Sequence, residues 1–345
     1  CAPGGAEVLY YDRVEGVARW EGALDGPTGG IFAAAGLTGE QALAAGGLRY
    51  ELDPLGWVTM SALSSFSLQN PEAGGDRVEL PWAVLAPAMG ADEGGVIGWG
   101  GNLINPADPD EAGFHVSISG GQPQISPLSL DTTSSSMSYP GSPVFAASAR
   151  LSSGELLVVG GFAAQTSPLG GQAINPVEGD HVYRVRPNLV EGTYSLAAEA
   201  GASQLVTPSG YGAASVLEDG SVLYTGGNLS VELGALECDS AAPALCASRQ
   251  AHVLVPGQDT EDGTGVTVPG GLQEPRFGHR QVRIPGLGVL LVGGLSRVGG
   301  VLRTNRGAEL YIPRSSGSKE RDPLGREPGD VFDELRICPT VDELP

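Results

Sequence analysis

Residues 211–227 read Tyr211-Gly212-Ala213-Ala214-Ser215-Val216-Leu217, then Glu218-Asp219-Gly220, then Ser221-Val222-Leu223-Tyr224-Thr225, then Gly226-Gly227. Two short apolar runs joined by Asp-Gly predict a β-hairpin, because Gly accepts the positive φ of tight hairpin turns. A glycine pair closing the second run predicts a bend or a close approach of another segment. The plan recurs. Trp20, Trp82, Phe145, Tyr211 and Phe277 are each followed, 15 to 19 positions later, by Ala35-Gly36, Gly100-Gly101, Gly160-Gly161, Gly226-Gly227 and Gly293-Gly294. Successive aromatics lie 62, 63, 66 and 66 residues apart. The turn position of the other copies holds Asp25-Gly26, Gly94-Gly95, Ser153-Gly154 and Gly286-Leu287-Gly288. Short strands and tight turns repeated at this length predict a radial array of small sheets.

The runs before the pairs (31–35, 96–99, 156–159, 289–292) are almost continuously apolar, as in strands covered on both faces. A third strand is predicted at Leu48-Arg49-Tyr50, Phe114-His115-Val116, His181-Val182-Tyr183, Ala251-His252-Val253 and Ala308-Glu309-Leu310-Tyr311. This places His115, His181 and His252 at one repeat position, shared with Arg49 and Glu309. Equivalent positions in a radial array lie far apart, so these histidines read as a structural polar position and not as a metal cluster.

The copy Arg276-Phe277-Gly278-His279, Val289-Leu290-Leu291-Val292-Gly293-Gly294 and Ala308-Glu309-Leu310-Tyr311 resembles the kelch repeat. The resemblance extends over residues 17–313 and implies an all-β, kelch-type β-propeller with five blades. Six blades, the last built from residues 314–345 and 1–15, is the alternative. In similar repeats the histidine at His279 packs between blades. The chain reads as one domain, residues 1–345: a tether at 1–5, blades at 6–313 and a C-terminal extension at 314–345. Ala6-Glu7-Val8-Leu9-Tyr10-Tyr11-Asp12 repeats the third-strand signature. This N-terminal strand is expected to close the last blade from outside, leaving no open sheet edge.

Basic residues number 19 and acidic ones 40, for a net charge of −21. Such a surface repels phosphate backbones and anionic bilayers, which argues against a nucleic-acid partner. Cys1-Ala2-Pro3-Gly4-Gly5 resembles the start of a mature bacterial lipoprotein. That resemblance implies a lipid anchor at Cys1, export and outer-membrane anchoring, since Ala2 is not the Asp that retains such proteins at the inner membrane. Cys238 and Cys246 lie eight apart in a polar stretch without His. A local disulfide is expected there and not a zinc site, which needs four ligands. Cys338 then pairs with Cys1 or stays free.

Strand alternation places loops 102–113, 162–180, 228–250 and 295–306 on one face and the short hairpins on the other. Long loops on a rigid scaffold are where recognition resides. Copper radical oxidases of similar architecture need two His, two Tyr and a Cys, a set this chain does not assemble. It has no Gly-x-Ser-x-Gly elbow or His-Glu-x-x-His either. Asn102, Asn105, Asp108, Asp110 and Glu111 offer several hard oxygens within ten residues, the donors of a possible structural calcium. No other cofactor is expected. The expected function is a non-catalytic protein-binding scaffold, an accessory lipoprotein subunit of a bacterial envelope or surface assembly, with its protein partner on the long-loop face. The alternative is a glycan-binding or carbohydrate-active propeller. Against it, Trp20 and Trp82 are assigned to first strands, Trp99 to a second and Trp57 to a fourth, which leaves the loops short of aromatics.

Overall fold

The computed structural model describes residues 6–12, 17–24, 34–38, 41–52, 55–67, 76–92, 94–105, 107–119, 121–166, 172–175, 182–198, 210–228, 247–256, 266–267, 271–298, 301–305, 307–313 and 331–335. Among these, five antiparallel four-stranded meanders follow one another. Sheet I is Ala34–Thr38, Gln41–Ala45, Ala62–Ser67 and Asp76–Glu79; sheet II is Ala88–Asp92, Gly95–Trp99, Gly113–Ser119 and Gln122–Leu130. Sheet III is Ala147–Arg150, Leu156–Val159, Val182–Asn188 and Thr193–Ala198. Sheet IV is Ala213–Val216, Val222–Thr225, Ala251–Leu254 and Val266–Thr267; sheet V is Arg280–Ile284, Gly288–Val292, Ala308–Ile312 and Val331–Leu335. Sheets II and III join at their outer edges, where Ser129 and Leu130 pair in parallel with Thr193 and Tyr194.

The apolar second strands explain how the sheets stack. Those of sheets II to V are buried along their length or nearly so, so they must be covered from both sides. Leu43 and Leu63 of sheet I pack with Met89, Val96 and Phe114 of sheet II. Trp99 and Leu128 of sheet II pack with Leu156, Val158 and Tyr183 of sheet III. Leu157 and Val159 of sheet III meet Val222 and Tyr224 of sheet IV, and Leu223 of sheet IV meets Val289 and Leu291 of sheet V. The first strands touch in the same order, I to V. The fold is all-β and propeller-like. Each of these buried Val, Leu and Phe side chains contributes about 1.5–3 kcal/mol of hydrophobic stabilisation.

The glycine pairs are the joints between sheets. Gly46-Gly47, Gly100-Gly101, Gly160-Gly161, Gly226-Gly227 and Gly293-Gly294 all have φ between 64° and 104°. The N–H groups of Gly47, Gly101 and Gly227 donate to the carbonyls of Val84, Pro143 and Arg276, just ahead of the next sheet's first strand, at 2.9, 2.8 and 3.0 Å. A Cβ on Gly46 would lie 2.1 Å from Val84 O, and one on Gly226 would lie 2.4 Å from Arg276 O. Positive φ and close approach both demand glycine here.

A second set of bonds links the sheets at the entry to their first strands. Phe145 N donates to Ala86 O, Tyr211 N to Phe145 O and Gly278 N to Tyr211 O, at 3.3, 2.8 and 2.7 Å. Ala86, Phe145, Tyr211 and Gly278 all carry positive φ. The rings of Phe145 and Tyr211 stack with centroids 4.1 Å apart, and Phe162 and Phe277 close around them. Trp82, Phe145, Tyr211 and Phe277 therefore precede the first strands and do not belong to them, and Trp82 and Phe277 stand ahead of the strict repeat position.

Several expectations need correction. The pair of sheet I is Gly46-Gly47; Ala35-Gly36 lies inside its first strand. Leu48-Arg49-Tyr50 is not a third strand. It opens a separate hairpin, Leu48–Leu52 with Leu55–Thr59, inserted before the true third strand Ala62–Ser67. Trp57 belongs to that hairpin, not to a fourth strand. The misreading has a physical cause: both 31–36 and 41–47 are small-residue runs ending in Gly, and only inter-sheet bonding tells them apart. The N-terminal strand Ala6–Asp12 does not close the last sheet. It pairs with Val17–Leu24, which holds Trp20. The outer strand of sheet V is Val331–Leu335, from the stretch read as an extension. Asp25-Gly26 lies outside the described residues.

Candidate functional site

Meander geometry sends the connections between second and third strands to the face where the glycine pairs lie. Three of them are hairpins in their own right: Leu48–Leu52 with Leu55–Thr59, Phe162–Thr166 with Gln172–Asn175, and Leu295–Val298 with Val301–Thr304. A hairpin satisfies its own backbone N–H and C=O groups, so such a connection holds its shape while exposed. This crown carries isolated apolar side chains in water: Ile104 is 66 % exposed and Val58 38 %. The turns on the opposite face are short, although Val190 between the last two strands of sheet III is also exposed.

The connection of sheet II, 102–112, is braced and not paired. Asn102 is fully buried. Its Oδ1 accepts from Ile104 N and Asn105 N at 2.9 and 3.0 Å, and its Nδ2 donates to Glu111 O and Oε2 at 3.2 Å. Asp108 caps the short 3-10 turn Pro109–Glu111 through Oδ1, which accepts from Asp110 N, while Oδ2 accepts from Asn105 Nδ2. Asp110 Oδ1 accepts from Leu130 N at 3.2 Å. The structure thus brings Asn102, Asn105, Asp108, Asp110 and Glu111 together, with Asn102, Asp108 and one carboxylate oxygen each of Asp110 and Glu111 engaged in holding the loop. Among the described residues no three His, Cys, Asp or Glu side chains gather as a metal cage would need. Tyr194, not singled out from sequence, fastens the loop by donating its hydroxyl to Pro109 O at 2.6 Å. Burial raises the Tyr194 pKa and keeps that donor protonated.

The histidines separate. His252 and Glu309 are true equivalents, each second in its third strand and opposite Tyr224 and Leu291. His115 is third in its strand, opposite Ile97, with Phe114 at the second place. A one-residue shift in a strand turns a side chain to the other face, so the shared repeat position does not hold. His181 lies outside the described residues, as do Cys1, Cys238 and Cys246. Burial lowers the pKa of His252. It also lowers that of His115, where Asp92 raises it in partial opposition and Arg150 lowers it further. His279 is fully buried between sheets IV and V, its Nε2 2.7 Å from Thr225 Oγ1. Burial, with the charges of Arg276 and Arg280 nearby, brings its pKa down to about 3.

Among the described residues no helix is long and apolar enough to cross a membrane. No known family profile matches the chain, and no curated protein matches it. Among solved structures it is similar to that of YjhT, with a TM-score of 0.58 over 90 % of both chains at 14 % identity. At that identity the likeness shows a common fold and carries nothing about activity.

Proposed function

We propose that this chain is a non-catalytic binding scaffold that seats a protein partner on its hairpin-crowned face. The observation that carries the reading is the construction of that face: three self-bonded hairpins and one braced loop, with Ile104 and Val58 held in water at its surface. A surface already ordered before binding avoids much of the entropy that association otherwise costs. With a net charge of −21, the partner is expected to present basic groups around an apolar contact, and its association to slow as salt rises. That the chain is an accessory subunit of a bacterial envelope or surface assembly belongs to the same proposal.

The scaffold in this reading is a kelch-type propeller. Its count rests on five four-stranded sheets, with the two-stranded sheet Ala6–Asp12 and Val17–Leu24 as the partial remainder of a sixth blade. Support comes from the far face of sheet V, where Leu290, Ala308 and Leu310 are buried although their described neighbours all belong to sheet V.

The test is capture from native membranes by crosslinking, with the wild-type chain and an Ile104→Asp/Val58→Asp variant. Both sites are exposed, so the variant should match wild-type stability to within about 0.5 kcal/mol, yet recover at least tenfold less partner. Equal recovery by both chains, or none by the wild type, sinks the reading. A glycan ligand is the second reading, favoured by the position of Trp57 on an inserted hairpin of this face. Glycan-array binding lost in Trp57→Ala would establish it instead.

A further inference from the structure

The first strands enclose two adjoining cavities of about 510 and 370 Å³ that share Met89, Ser148 and Ala214 in their walls. Together they form a channel where sheets I to V meet. Most of the wall is Ala, Gly and Ser, which is why space remains there. Among the described residues the charged ones on it are all arginines: Arg280 in the larger cavity, Arg150 and Arg283 in the smaller. No described Asp or Glu lines either cavity, in a chain with 40 acidic residues against 19 basic ones.

These cations are poorly neutralised. Arg150 Nη2 lies 3.3 Å from Asp92 Oδ1, but Arg150 Nη1 is buried with no hydrogen-bond partner among the described residues. Arg280 and Arg283 form no ion pair with any described carboxylate. Neighbouring Gln281 does not accept from them: its Nε2 donates to Ala213 O and Thr225 Oγ1 at 3.1 and 2.6 Å, and its buried Oε1 has no hydrogen-bond partner among the described residues. Arg280 and Arg283 are exposed to the channel's solvent, and a concave wall carrying charges of one sign concentrates counter-ions there. The guanidinium fork also matches the geometry of carboxylate and phosphate oxygens. Arg280 and Arg283 are three residues apart on one strand, so their side chains leave it on opposite faces, Arg280 lining the larger cavity and Arg283 the smaller. Two of the three cations, Arg150 and Arg283, line the smaller cavity together.

We propose that the channel is a binding site for a small carboxylate- or phosphate-bearing anion, held by Arg283 and Arg150 Nη1 in the smaller cavity, with Arg280 adding positive charge from the larger. The site does not depend on the crowned face, and either could exist without the other.

The experiment is titration calorimetry of the full chain with inorganic phosphate and, separately, with citrate, ionic strength being held constant with sodium chloride. Saturable binding is expected for at least one anion, and the anion that binds identifies the head group. Arg280→Gln/Arg283→Gln should weaken it at least tenfold. Arg77→Gln, on the outer strand of sheet I and exposed beside Glu79, should leave it unchanged. No saturable binding of either anion, or equal binding by the double variant, overturns the proposal. Should the double variant fail to fold, phenylglyoxal labelling of the wild type answers the same question. Protection of Arg283 by the anion supports the site, and labelling indifferent to the anion removes it.

Discussion

Arg276 and Glu309 form an ion pair sealed inside the protein: Arg276 Nη2 lies 2.5 Å from Glu309 Oε1, and each side chain is 1 % exposed. The remaining donors and acceptors are largely used. Arg276 Nη1 donates to Gly293 O and Gly307 O, and the Glu309 carboxylate accepts from Gln273 N and Glu274 N. Because Arg276 O also receives the Gly227 N–H, the pair fixes the junction of sheets IV and V. Glu309→Gln strands a buried guanidinium and should cost about 3–5 kcal/mol. Arg276→Met/Glu309→Leu removes both charges and should lose much less. Urea unfolding at neutral pH measures both, and a double variant as unstable as the single one would contradict this account.

Gly226 and Gly220 both have positive φ, but only Gly226 lacks room for a Cβ. Gly220→Ala should cost about 1–2 kcal/mol, the strain of a left-handed residue. Gly226→Ala must also displace Arg276 O and should cost clearly more. Thermal unfolding of the two variants side by side tests whether the glycine pair is an inter-sheet joint. Equal losses would mean that only the turn conformation matters.

The folded-state pKa of His279, about 3, lies below its unfolded value of about 6.5. Between those values the unfolded chain binds the extra proton. Stability is therefore complete above pH 6.5 and declines as pH falls, by about 1.4 kcal/mol per unit from this residue. His115 and His252, shifted the same way, add to the slope. Denaturant midpoints from pH 7 to pH 5 should fall for the wild type, and the slope should be shallower in His279→Gln.

Much of this architecture can be read from residues alone. Asp219-Gly220 between two apolar runs specifies a hairpin whatever surrounds it, and the second strands of sheets II to V announce burial on both faces by their unbroken apolarity. The third strands of sheets II to V fall where the repeat places them. What misled was anything settled by partners distant in sequence. Ala35-Gly36 and Gly46-Gly47 look alike as text, and the choice between them rests on the bond from Gly47 N to Val84 O. His115 and His252 look equivalent until strand register, set by Ile97 and Tyr224 across the ladder, shows them one residue apart.

The five donors at 102–111 mark the limit most plainly. Their composition suits a hard cation; their geometry directs Asn102, Asp108 and Asp110 at backbone groups of the same connection and of Leu130. The axial arginines left no local mark at all. Arg150, Arg280 and Arg283 are ordinary residues in ordinary strands, and only the meeting of five sheets brings them to one channel. Local turn chemistry and strand patterning are encoded by near neighbours, so the sequence by itself determined the repeating hairpins and their stacking faces. Inter-sheet joints, register and channel charge arise from contacts between segments apart in the chain, Gly47 with Val84 and Gln281 with Ala213 among them, where chain order no longer reports distance, and those the tertiary structure alone decided.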